Sequence, residues 1–172
     1  MRSSLPCLVV AALLAGATTS GAWGLAPSPS GVGEDSPQDS PFAGTWVANL
    51  AKSKRHPNHQ FQSATLEFTV AGNTVTLAHG GVNAGGQHES GTVVLEADGQ
   101  EHPVPQQPGI VVVTSWSGPR QLHTVAKSGG TTVGEGVYEV SADGKTLTAT
   151  VSGTDASGAP FEQVIVFDRK RE

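Results

Sequence analysis

Thr65-Leu66-Glu67-Phe68-Thr69-Val70 is the stretch on which the fold class turns. Leu66, Phe68 and Val70 share one face and Thr65, Glu67 and Thr69 the other, the period-two pattern of a half-buried β-strand. Ala71-Gly72-Asn73 then supplies a tight turn, and Val75 and Leu77 alternate with threonines beyond it, so the unit predicts a hairpin. The same alternation recurs outward from this hairpin over residues 45–50, 92–97, 110–116, 121–127, 132–140, 146–151 and 161–169. Asp98-Gly99, Asp143-Gly144 and Ser157-Gly158 separate several of these segments and suit turns with positive φ. No segment keeps a helical period. The prediction is an all-β domain: an antiparallel up-and-down β-barrel of about 8–10 strands, in which closure removes the free edges that invite aggregation.

The chain has 172 residues, enough for one domain with a real core and an N-terminal extension. Arg2, the apolar run over residues 5–17 and the small residues after it have the layout of a cleavable secretory signal. That run is too short to span a bilayer. Ala22, Gly24 and Ala26 each offer a small residue at the cut, and Gly24 is taken as the end of the signal, giving a signal peptide over residues 1–24. Residues 25–41 are rich in Pro, Ser and Gly and read as a disordered linker, with the domain over residues 42–172. The expected location is secreted or periplasmic, with no membrane span after cleavage.

Composition narrows the chemistry. The single cysteine, Cys7, lies in the signal, so the remaining chain has no thiol for disulfides or thiolate catalysis. The formal charge is −5 and the basic residues form no stripe, which argues against nucleic acid as a partner. The G-x-S-x-G elbow, the H-E-x-x-H zinc helix and the phosphate-cradling loop are all missing, so no catalytic residue, cofactor or enzymatic activity is assigned. Glu135 and Glu139 lie four apart on one face of a predicted strand and read as solvated carboxylates.

Three further stretches carry a family resemblance. Gly44-Thr45-Trp46 followed by Ala51-Lys52-Ser53-Lys54 resembles the G-T-W-x-x-N-x-x-K-S opening of bacterial secreted lipocalin-like proteins. The segments Val140-Ser141-Ala142-Asp143-Gly144-Lys145-Thr146-Leu147-Thr148 and Val166-Phe167-Asp168-Arg169 resemble that family's final hairpins and closing strand. The family is largely uncharacterised, so the resemblance implies a calycin-type barrel more than an activity. It also implies that Trp46 lies at the closed end of the barrel under Arg169, both in structural roles.

Within such a barrel, Trp116, His123 and Tyr138 are the candidate ligand contacts, because an apolar cavity fixes its ligand with a few polar or aromatic groups. The expected ligand is a small apolar or amphipathic molecule. The alternative is a filled barrel that serves as a structural or interaction domain of the cell envelope, its protein partner unknown. No metal is assigned. His56 and His59 are the weak candidates, being an H-x-x-H pair with Pro57 between them, while His79, His88 and His102 are expected in or near loops.

Overall fold

The computed structural model describes residues 40–105, 107–154 and 158–170. The signal and all but the last two residues of the linker lie outside the described residues. Ten strands follow in chain order: β1 (Gly44–Ala48), β2 (Phe61–Ala71), β3 (Thr74–Asn83), β4 (His88–Glu96), β5 (Glu101–Pro103), β6 (Ile110–Trp116), β7 (Gln121–Ser128), β8 (Thr131–Val140), β9 (Thr146–Thr154) and β10 (Pro160–Arg169). No helix long and apolar enough to cross a membrane occurs among the described residues.

All strands belong to one sheet in the order β4-β3-β2-β1-β10-β9-β8-β7-β6-β5, and every pairing is antiparallel. The first and last strands pair directly, with Trp46 opposite Arg169 and Ala48 opposite Phe167. The remaining gap therefore falls mid-chain, between β4 and β5. The connection from β4 to β5 is tied to β6 by the bond from the Gly99 amide to the Thr114 carbonyl at 2.9 Å. The result is a nearly closed up-and-down barrel, as the alternation predicts.

The predicted hairpin is β2–β3, in register from Ala71 opposite Thr74 to Leu66 opposite His79. Gly72 turns it at φ +60° and Gly144 turns β8 into β9 at φ +67°, both in the left-handed region that disfavours a Cβ. The short strand β5 has no counterpart in the sequence prediction. Three residues are too few to display a period.

The core residues are the inward half of each alternation. At one end of the barrel, the floor, Phe42, Trp46, Phe68, Val75, Leu122, Val140 and Leu147 are all but completely buried. Ser40 and Pro41, assigned to the linker from sequence, are already tied to this floor: the Ala43 amide donates to the Ser40 carbonyl at 3.0 Å, and Arg169 donates to the Pro41 carbonyl. At the opposite end, the mouth, the loop between β1 and β2 is pinned to β10 by paired backbone bonds between Lys54 and Val164 at 2.7 and 2.8 Å.

Candidate functional site

The floor is built around an arginine on a tryptophan. Arg169 Cζ lies 4.2 Å from the centre of the Trp46 ring, in cation–π contact. Its Nε donates to the Gly144 carbonyl at 2.6 Å and its Nη1 to the Ala43 carbonyl at 2.7 Å. Partial burial lowers the guanidinium pKa from its ordinary value. Trp46 Nε1 donates to the Phe42 carbonyl at 2.9 Å, which satisfies the one polar atom of a ring that is otherwise wholly apolar. Gly44 takes φ +114° beside this group, and a Cβ there would stand 3.2 Å from Arg169 Nη1. The G-T-W opening thus has a local reason: only glycine combines that backbone with room for the guanidinium.

Two of the three candidate ligand contacts join this packing. Phe42 meets Trp116 edge-on at 5.3 Å between ring centres and Phe68 at 5.6 Å, and Phe68 meets Tyr138 at 5.9 Å. Complete burial pushes the Tyr138 phenol well above its ordinary value, keeping it neutral. Both rings therefore help to fill the floor half.

The third candidate, His123, lies apart from the other two. It sits on the outer face of β7, because Leu122, Thr124 and Ala126 take the inward positions. Its Nε2 lies 2.6 Å from Glu135 Oε1, in a partly exposed pair on the outside of the barrel. Glu139 is outside as well, accepting from Gln121 Nε2 at 3.4 Å.

The mouth half has a different lining. Gln163 and Phe161 face inward on β10, His79 on β3, Thr114 on β6 and Thr124 on β7, all buried. Gln163, Val151, Gly136 and Thr124 follow one another across β10, β9, β8 and β7 by direct strand pairing. Thr124 Oγ1 donates to the Gly136 carbonyl at 3.2 Å. Gln163 Oε1 is buried and receives no hydrogen bond among the described residues. That is an exception to the rule that buried acceptors are satisfied.

His79 was expected in or near a loop and is instead a buried residue in the middle of β3. Its ring lies over Gly91, its partner across β3–β4; a Cβ on Gly91 would be 2.7 Å from His79 Cε1. Continuing the inward series Val75, Leu77 by two residues identifies it, but the Gly80-Gly81 pair that follows looks like a turn. Gln163 lies on the inward face that contains Phe161, Ile165, Phe167 and Arg169, and the period alone could have marked it.

His56 and His59 come together at the mouth, 5.4 Å between ring centres, and His59 stacks at 4.5 Å on Phe161. No group of three or more His, Cys, Asp or Glu placed to hold a metal occurs among the described residues. Beside this cap, an open cleft of about 490 Å³ lies at the rim where β8, β9 and β10 meet, lined by residues including Val133, Gly134, Gly153, Phe161 and Glu162.

No family model and no curated protein matches the chain. Solved structures do match it in shape. The fluorescent protein UnaG superposes at a TM-score of 0.52 with 19% identity, over 75% of this chain and 97% of that one. The zebrafish ileal bile acid-binding protein complexed with cholic acid superposes at 0.50 with 13% identity, over 76% of this chain and 100% of that one. The fold is that of the calycin β-barrels. At these identities the likeness carries the fold alone, a barrel architecture that also serves small-ligand binding in the bile acid-binding protein.

Proposed function

We propose that this protein is a non-catalytic, secreted or periplasmic carrier of a small amphipathic molecule, held in the mouth half of the calycin barrel. The observation that carries the reading is the unequal lining of the interior. Packed aromatic rings and aliphatic side chains occupy the floor half, whereas the mouth half adds buried polar groups, Gln163 and His79 among them, to Phe161 near an open rim. An apolar wall with a few placed polar groups is the usual make-up of a small-molecule site. The bile acid complex of a protein with the same fold supports the reading. Secretion rests on Arg2 and the apolar run that follows it.

Native mass spectrometry of protein purified from its natural host tests the proposal. A co-purifying small molecule released on denaturation is the expected result. A uniformly unliganded spectrum, together with failure to bind any of a panel of apolar dyes, would overturn it.

The packed floor favours one second reading, a filled barrel acting as an interaction domain. Val47 and Val94 are exposed on its outer surface, Val94 by 58%. Crosslinking in envelope extracts decides it: recovery of monomer alone would count against such a role.

A further inference from the structure

Gln163 is only 3% exposed, it sits on the inner wall of β10, and its Oε1 has no donor among the described residues. A buried acceptor without a partner is a standing deficit that an incoming N–H or O–H removes. The charge pattern around it is as informative as the amide itself. Among the described residues, Arg169 is the one lysine or arginine on the inner face of a strand, and it is committed at the floor to Trp46 and to the carbonyls of Pro41, Ala43 and Gly144.

None of the other lysines and arginines among the described residues lies on the inner face of a strand, and Lys54 is exposed at the mouth. Lys52 pairs with Asp168 and Lys127 with Glu101. Arg55, at the mouth, donates to the Phe61 carbonyl at 2.8 Å and lies over the Phe61 ring. Glu135 and Glu162 line the open cleft at the rim and add negative charge to it. The buried polar side chains of the interior, His59, His79, Thr114, Thr124 and Gln163, include none of fixed positive charge.

We infer, resting on the small-molecule reading above, that the mouth half selects uncharged amphipathic ligands bearing an N–H or O–H donor for Gln163 Oε1, and discriminates against their carboxylate counterparts. A carboxylate brought to this wall would lose its hydration with no fixed cation to replace it, and would meet another acceptor in Gln163. A primary amide or alcohol at the same place satisfies the acceptor and keeps its chain on the apolar wall. Sites built to hydrogen-bond one ligand group discriminate strongly against analogues that lack it.

The experiment is displacement of Nile red, a neutral dye, from the protein over residues 25–172 by decanamide and by decanoate at neutral pH. A neutral chain enters any apolar site more readily than its anion, so the deciding comparison is between the wild type and Gln163→Leu, which removes the acceptor at similar volume. The expected result is a decanamide affinity about tenfold weaker in the variant, one hydrogen bond's worth, with decanoate unchanged. Gln163→Met provides the same comparison should the leucine variant fold poorly.

Tighter binding of decanoate than of decanamide to the wild type would overturn the selectivity while leaving the carrier reading in place. An unchanged decanamide affinity in both variants would also overturn it. Failure of the wild type to bind Nile red or either chain would overturn the carrier reading, and the selectivity with it.

Discussion

The two halves of the barrel are made of the same strands yet are finished in opposite ways. At the floor, each polar atom of the Trp46 and Arg169 group has a partner: the indole N–H meets the Phe42 carbonyl and the guanidinium meets three backbone carbonyls. At the mouth, a buried amide oxygen on Gln163 has no donor among the described residues, and a histidine ring takes the space over a glycine. A satisfied, close-packed end gives stability. An unsatisfied one gives up some stability and gains a place for another molecule.

Trp46→Ala tests the floor most severely. It should cost about 3–5 kcal/mol in urea denaturation, the range for emptying a buried aromatic site. A loss below about 1 kcal/mol would mean that the floor re-forms without its ring and that the contrast between the halves is weaker than the packing suggests.

Gly91→Ala probes the mouth. Its new methyl would enter the space of the His79 ring, and overpacking of this kind costs about 1–3 kcal/mol. Adding His79→Ala should recover part of that loss, a non-additivity that thermal melts of the single and double variants would reveal. Strict additivity would place the strain elsewhere.

Gln163→Leu carries the opposite sign. In ligand-free protein it should stabilise by about 1 kcal/mol, since it removes an unpaired buried acceptor without leaving a cavity. Clear destabilisation would show that the amide is already satisfied and that the two halves are finished alike.

The smallest effect belongs to the outer surface beside the floor. Asp168 accepts from Asn49 Nδ2 at 2.6 Å and from Lys52 Nζ at 3.2 Å, and these bonds hold its pKa below the ordinary 3.8. A depressed carboxylate contributes stability that is present above the unfolded value and is lost as pH falls through the lower folded one. The side chain is 46% exposed. Solvent screening therefore limits the contribution to a few tenths of a kcal/mol. Asp168→Asn should flatten the stability profile below about pH 4, and an unchanged acid limb would show that the pair contributes nothing.

Much of the fold was legible because strand alternation is a local signal. Leu66, Phe68 and Val70 declare their inward face within six residues, and Gly72, Gly99 and Gly144 mark turns by needing positive φ. The limits of that signal are equally specific. In β7, Leu122 and Ala126 alternate with Val125, so apolar residues occupy both faces and the side taken by His123 is not readable locally. In β3, Gly80-Gly81 looks like a turn, yet Gly81 lies within a continuous strand where a Cβ would collide with the Ser63 backbone. A glycine retained for close approach and a glycine retained for a turn are identical letters.

The sequence by itself determined the period and the turns, because each depends on neighbours a few positions apart, while the closing pair Trp46 and Arg169 came from a family resemblance. Only the tertiary structure decided that β1 meets β10, that the gap falls between β4 and β5, and that Tyr138 and Trp116 fill the floor while His123 faces outward. It alone showed Gln163 Oε1 without a donor among the described residues. These depend on which strand lies across the barrel, and hydrogen-bond satisfaction is a property of residues far apart in the chain.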